Sequence, residues 1–276
     1  MSDVPGITLN NGTTIPQLGF GVFQIDPQDT AATLQTAFDA GYRHIDTAQM
    51  YGNEAEVGEA IANSGLSRDE LWVTTKCNNQ FHGYDDARSA LDESLTKLGL
   101  DFVDMYLIHW PLPGKDLYVE TWKGFEQALA DGKTRTIGVS NFQDHHLDRL
   151  AQETDTTPAV NQIELHPHMQ QMAMRSYDER HGIATEAWSP IGQGKGLLDA
   201  PELEGVAKKH DKSAAQIVLR WHIQLGNIIF PKSVTPERIR ENIAIFDFEL
   251  SDDEMSSIGG MEKAERIGPD PDQFAR

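Results

Sequence analysis

The feature that most constrains this chain is a rhythm. Short apolar, often β-branched runs recur along it, and each is followed by a longer amphipathic stretch. The runs are Phe20-Gly21-Val22, His44-Ile45, residues 71–75, 103–108, 136–139, 160–163 and 183–187, and Ile228-Ile229-Phe230. Eight such runs read as strands, and the pieces between them as helices. A strand that returns parallel to its predecessor needs a connection of helix length, so this alternation implies a parallel sheet. Eight units in 276 residues match a closed (β/α)8 TIM barrel, which takes about 250 residues. An open doubly wound sheet is the alternative.

Local signals agree with the barrel. Ala214, Ile217, Val218, Trp221 and Leu225 recur at helical spacing and form one apolar stripe for core packing. Thr235 precedes Pro236 at a helix start, and Ser251 stands three residues before Glu254 in a capping-box pattern. Ahead of the first unit, Asn10-Asn11-Gly12 lies between Ile7-Thr8-Leu9 and Thr13-Thr14-Ile15. An Asn-Gly pair between extended segments signals a hairpin, expected here to plug the barrel floor. With no Pro/Ser-rich linker and no low-complexity tract, residues 1–276 are expected to form a single domain.

Charge excludes several functions. The 43 acidic residues exceed the 23 Lys and Arg, giving a net charge of −20, which opposes the phosphate contacts that nucleic-acid binding needs. Hydrophobic residues at 39% and charged residues at 24% give a globular balance rather than a disordered one. No apolar run is long enough for a membrane helix, and Met1-Ser2-Asp3-Val4-Pro5-Gly6 lacks the regions of a signal peptide. Cys77 is the only cysteine, which fits a reducing compartment. The expectation is a cytoplasmic monomer.

Several motif fragments fail on inspection. Gly132-Lys133-Thr134 ends like a phosphate loop, but the glycine required five residues earlier is Gln127. Neither Gly19-Phe20-Gly21 nor Gly192-Gln193-Gly194 continues to the third glycine of a dinucleotide fingerprint. Asn11-Gly12-Thr13 reads as a turn rather than a glycosylation site. His145-His146 and His166-Pro167-His168 cluster imidazoles without a zinc framework, so no metal is expected.

One constellation survives. Asp46, Lys76 and His109 each stand where a predicted strand ends, about one βα unit apart. In a barrel all strand C-termini face one mouth, where chemistry is placed. Tyr51 follows Asp46 on the next loop, with Gly52 allowing the chain to turn. A phenol has an unperturbed pKa of about 10, and lowering it by ~2 units takes roughly 2.7 kcal/mol of phenolate stabilisation. Lys76, held charged by Asp46, is expected to supply it, while His109 orients a carbonyl oxygen. The set suits protonation of a developing alkoxide. Taken singly, Asp46 and Lys76 also read as a structural ion pair.

The strings GYRHIDTAQMYGNE (41–54), VDMYLIHWP (103–111), GVSNF (138–142), VNQIELHP (160–167) and FPKSVTPERIREN (230–242) resemble the aldo-keto reductases over almost the whole chain. Among these, the likeness is nearest to the bacterial 2,5-diketo-D-gluconate reductases. The resemblance implies a barrel that binds NADPH across its mouth, and a tetrad on Asp46, Tyr51, Lys76 and His109. It implies that Ser140, Asn141 and Gln162 meet the nicotinamide carboxamide and that Trp188 stacks on the ring. Lys232, Ser233 and Arg238 match positions for the 2′-phosphate, and Glu241 and Asn242 match positions for the adenine. Gly21, Val22, Ser189 and Val234 complete the implied cofactor contacts. Gly192, Gln193 and Gly194 fall in the loop that closes over the pyrophosphate. Two cations near a helix start suit a phosphate on an otherwise acidic chain. Phe23 and Trp110 fit aromatic walls of the substrate pocket. Relatives often carry tryptophan where this chain has Asn78, which implies a wider or more polar pocket. Cys77 reads as packing.

The expected function is therefore NADPH-dependent reduction of aldehydes and ketones, dicarbonyls and keto sugars among them, with Tyr51 as proton donor. The alternatives are a barrel aldolase forming a Schiff base on Lys76 and a non-enzymatic NADPH sensor.

Overall fold

The computed structural model describes residues 4–275; Met1-Ser2-Asp3, read above for a leader, and the final Arg276 lie outside the described residues. The chain opens with strands β1 (Gly6–Thr8) and β2 (Thr14–Pro16), paired antiparallel as the Asn-Gly signal requires. Gly12 takes a φ of 83° in the connecting turn, a left-handed value that glycine adopts without strain. Eight barrel strands follow: β3 (Phe20–Gly21), β4 (His44–Asp46), β5 (Trp72–Cys77), β6 (Met105–Ile108), β7 (Ile137–Ser140), β8 (Val160–Glu164), β9 (Ala184–Trp188) and β10 (Ile228–Ile229). Each pairs in parallel with its sequence neighbour. The ring closes where Leu18 bridges Ile229 in parallel, with Gly19 N–H donating to the Ile229 carbonyl at 2.7 Å. The open-sheet alternative is thereby set aside.

The α-helices among the described residues are α1 (Pro27–Ala40), α2 (Glu54–Asn63), α3 (Tyr84–Leu98), α4 (Tyr118–Ala130), α5 (Asp144–Glu153), α6 (Met172–Arg180), α7 (Pro201–His210), α8 (Ala214–Gln224), α9 (Pro236–Ile243) and α10 (Asp252–Gly259), with short 3-10 turns in the connections. Helix starts follow sequence logic. Ser251 and Glu254 close both halves of the capping box that opens α10, and Pro236 occupies the first turn of α9 after Thr235. Ile217, Val218 and Trp221 of α8 enter the core as the stripe predicts. Gly58 on α2 lies so close to Leu98 that an added Cβ would sit 2.4 Å from its carbonyl oxygen. Only glycine allows α2 and α3 to approach this far.

Two apolar clusters hold the molecule. The larger lies between the sheet and the helices; the smaller joins Leu9 and Ile15 of the hairpin region to Trp72, Met105, Leu107, Val160 and Ile228 inside the barrel. Asn10 Nδ2 and Asn11 Nδ2 fasten the hairpin tip to the carbonyls of Pro158 and Arg135. The plugged floor leaves the other end of the barrel for polar groups. No helix among the described residues is long and apolar enough to cross a membrane.

Candidate active site

Parallel strands deliver their C-termini to one mouth. Asp46 ends β4, Lys76 is the penultimate residue of β5, and His109 is the first residue past β6. Tyr51 closes a short 3-10 turn at 49–51, where Gly52 takes a φ of 73°. The four residues predicted to converge do so. Lys76 is wholly buried, and its Nζ donates to Asp46 Oδ1 at 2.7 Å, to the Thr47 carbonyl at 2.9 Å and to Tyr51 OH at 3.3 Å. The Tyr51 and His109 rings meet edge to face with centroids 5.8 Å apart.

Burial sets the protonation states. It works against the charge on Lys76, yet the opposing pull of Asp46 and the contact with Tyr51 leave the lysine pKa raised. Lys76 is thus a fixed cation, not the neutral amine that Schiff-base chemistry needs. Burial also raises the Tyr51 pKa, although Lys76 pulls it down. This corrects the expectation of a lowered phenol: sequence placed the cation beside it but could not show the desolvation that outweighs it. Tyr51 is held as a protonated phenol. Burial, with Lys76 next, pushes His109 well below the usual imidazole range, so it stands neutral, with Nδ1 buried and unpartnered.

The residues expected around a nicotinamide form one network. Ser140 Oγ donates to the Gln162 carbonyl at 2.8 Å, and Asn141 Nδ2 donates to the His109 carbonyl at 3.0 Å. Trp188 Nε1 donates to Asn141 Oδ1 at 2.8 Å, which fixes the indole plane. Gln162 Nε2 donates to Asp46 Oδ2 and to Glu186 Oε2, each at 2.9 Å. Both its N–H groups are committed to carboxyl groups, so Oε1 is what Gln162 can offer a ligand, as an acceptor.

The rim residues lie apart from this network. Lys232 and Arg238 are exposed, and neither makes an ion pair among the described residues. They flank Ser233 and the start of α9, whose Thr235 gives no side-chain cap. Two unpaired cations at an uncapped helix start suit a phosphate dianion. Val234 is exposed, Glu241 half-buried and Asn242 buried on α9. Ser189, with a φ of 53°, accepts from Gln193 Nε2 at 2.7 Å, which ties the 192–194 loop back to the end of β9. Gly192 is buried and Gly194 exposed. Val22 buries its side chain in the core, and its N–H donates to the carbonyl of Asp46 at 3.2 Å, which holds the end of β3 beside that residue. A Cβ at Gly21 would stand 2.8 Å from the Phe230 carbonyl oxygen.

On the substrate side, Phe23 is exposed and packs on Tyr51 with centroids 4.9 Å apart. Asn78 is half-buried. Trp110 lies against Phe274 at 4.4 Å between centroids. Phe274, in a tail without periodicity, carries no sequence signal for this contact. Glu164 holds the same tail, accepting from Ile267 N–H at 2.5 Å and Gly268 N–H at 2.9 Å. Glu186 was also missed, although Gln162-x-Glu164 and Glu186-x-Trp188, all buried but the half-buried Trp188, alternate onto one strand face, a pattern that could have drawn notice.

The remaining clusters do other work. Cys77 is buried and its thiol pushed up to about 12, so it is inert. His145, His146 and Asp272 come within ligand distance of one another. However, His146 Nδ1 accepts from Gln143 N–H, which puts the ring proton on Nε2 and removes the lone pair a metal would use.

Comparison with known proteins agrees with this geometry. The aldo/keto reductase family model matches residues 15–263. The chain is 52% identical over 270 residues to an aldo-keto reductase of Mycobacterium sp. (strain JLS), covering 98% of each chain. It is 48% identical to the methylglyoxal reductase DkgA of Escherichia coli (strain K12), covering 99% of each. A Gox0644 mutant solved in complex with NADPH superposes with a TM-score of 0.95 at 42% identity, covering 99% of both chains.

Proposed function

This chain belongs to the aldo/keto reductase family, and from that premise we propose that it is an NADPH-dependent reductase of small aldehydes and ketones, dicarbonyls and keto sugars among them, with Tyr51 as proton donor. The observation that carries the reading is Lys76 Nζ, held between Asp46 Oδ1 and Tyr51 OH at 2.7 Å and 3.3 Å. Bound NADPH would supply the hydride. The residues present fit it: Gln162 Oε1 is left as an acceptor for a carboxamide N–H, Trp188 offers a plane pinned by Asn141, and Lys232 and Arg238 are unpaired cations at the rim.

The protein's own groups handle the proton and the orientation. As negative charge develops on the carbonyl oxygen, Tyr51 OH donates its proton there. The phenolate left behind is stabilised by Lys76 Nζ, whose charge Asp46 maintains. His109, neutral beside Lys76, can give a hydrogen bond to the carbonyl oxygen without adding a second cation to the chamber. Phe23, Trp110 and Phe274 give the approach aromatic walls, which favours small carbonyl compounds with an apolar flank. The named activity of the Escherichia coli relative, methylglyoxal reduction, agrees with a dicarbonyl.

Tyr51→Phe tests the acid role. Carbonyl-dependent NADPH oxidation is expected to fall by about 10²–10⁴-fold, while quenching of tryptophan fluorescence by NADPH persists. Retained turnover would remove Tyr51 from that role.

A further inference from the structure

We propose that Glu186 is a positioning residue for this reaction: through the bridging amide of Gln162 it sets the charge felt by the Asp46–Lys76–Tyr51 chain, and its ionisation switches carbonyl reduction down. The inference rests on the reading of Tyr51 as proton donor.

The geometry begins with one amide. Gln162 Nε2 carries two hydrogens and gives one to Asp46 Oδ2 and the other to Glu186 Oε2, both at 2.9 Å. Its orientation is fixed, because the reversed amide would turn an oxygen toward Asp46. Beyond Asp46 the contacts run to Lys76 and on to Tyr51 OH. Five side chains, from four barrel strands and the 49–51 turn, therefore form one unbroken line ending at the proton to be transferred.

At the far end of that line, Glu186 is fully buried and its second oxygen, Oε1, has no partner. A carboxylate would leave that oxygen as an unsolvated, unpaired charge, which burial strongly disfavours. The neutral acid accepts through Oε2 and keeps its proton on Oε1. Of the charged groups facing it, Asp46 on β4 repels a second negative charge and Lys76 on β5 attracts one. His44 and His109 are held neutral by burial, Tyr51 keeps its proton, and Glu164 at the outer end of β8 pairs with His166. Burial first and Asp46 second push the Glu186 pKa up to about 8. Above that pH the Oε1 proton leaves to solvent and a second anion joins the chamber. It pulls on Gln162, competes with Tyr51 for the field of Lys76 and disfavours the phenolate that proton donation creates.

The test is a pair of measurements on the full chain. First, kcat/KM for reduction of methylglyoxal is followed against pH in wild type and in Glu186→Gln, which keeps the shape without the titrating proton. The wild-type value is expected to fall about tenfold from about pH 7 to pH 9, and the variant profile to be flat over that range. Second, infrared difference spectra without substrate should show a protonated-carboxyl band that disappears through about pH 8. Asp178, the other acid that burial pushes up to about 8, lies behind β8 and β9 on Asn161 and Thr185. The Glu186 band is therefore read in Asp178→Asn, whose pH profile should match wild type. Superposable profiles for wild type and Glu186→Gln, or no carboxyl band titrating in Asp178→Asn, would overturn the inference. If Tyr51→Phe retains turnover, the tyrosine reading fails, while the infrared titration still reports on Glu186. If Tyr51→Phe is inactive and the alkaline fall survives Glu186→Gln, only the present inference fails.

Discussion

Along β5, Trp72 faces the plugged floor in a cluster with Ile15, Met105 and Ile228, whereas four residues further Lys76 stands at the mouth against Asp46 and Tyr51. The same strand thus serves both ends of the barrel with opposite chemistry. At the floor, apolar surface leaves water and the contacts are non-directional, so stability accumulates there. At the mouth, buried charges are paired and hydrogen-bonded, an arrangement that is costly to assemble and contributes little net stability against apolar residues of the same shape. The two ends should therefore respond in different ways to substitution.

The largest effect is expected from Lys76→Met. It removes the cation that, in the proposed mechanism, stabilises the phenolate formed on Tyr51, so turnover should fall by about 10³-fold, and it leaves Asp46 as an unpaired buried charge, at a cost of about 3–5 kcal/mol in stability. Adding Asp46→Asn separates the two losses. With both charges gone, thermal unfolding should recover most of the deficit, while kcat/KM with NADPH stays low. If turnover returned together with stability, the pair would be structural and the mouth would differ from the floor only in polarity.

The floor gives the complementary case. Trp72→Ala empties a large buried volume and removes the donor that Trp72 Nε1 gives to Thr74 Oγ1 at 3.2 Å. A loss of about 3–5 kcal/mol is expected in denaturant unfolding, with kcat/KM per folded molecule near wild type at low temperature. A large loss of turnover in protein that is still folded would show that the two ends are mechanically coupled.

How far sequence reached also differs between the ends. The floor was legible because its signals are local: an Asn-Gly turn between extended segments, and apolar residues such as Ile15 and Ile228 in short runs. At the mouth, Asp46, Lys76 and His109 were legible as strand-end residues one unit apart. Tyr51 was placed correctly but its shift was not, because the sequence shows which charges adjoin and not how much water is excluded. Alternation along β9 marks the position of Glu186, but its connection to the site was not legible, for a related reason. Its role depends on one amide reaching two carboxyl groups from β8, a distance relation among residues remote in sequence. The contact of Phe274 with Trp110 arises from a tail without periodicity, where no pattern rule applies.

The smallest effect sharpens the contrast at the rim, where charges are exposed rather than buried. Arg238 is exposed at the start of α9 and makes no ion pair among the described residues, so its removal breaks nothing in the protein alone. Arg238→Ala should leave the unfolding temperature unchanged. It should weaken NADPH binding about tenfold, or ~1.4 kcal/mol, and NADH binding hardly at all, because only NADPH brings a 2′-phosphate. The wild-type preference for NADPH should also shrink as salt is raised, since exposed charges are screened over about 10 Å at 0.1 M. In the variant that salt dependence should be reduced. Titrations of tryptophan fluorescence with both nucleotides at two ionic strengths would decide it. Equal losses for NADPH and NADH would place Arg238 on a part of the cofactor the two share, and would turn the rim from a discriminating surface into a general one.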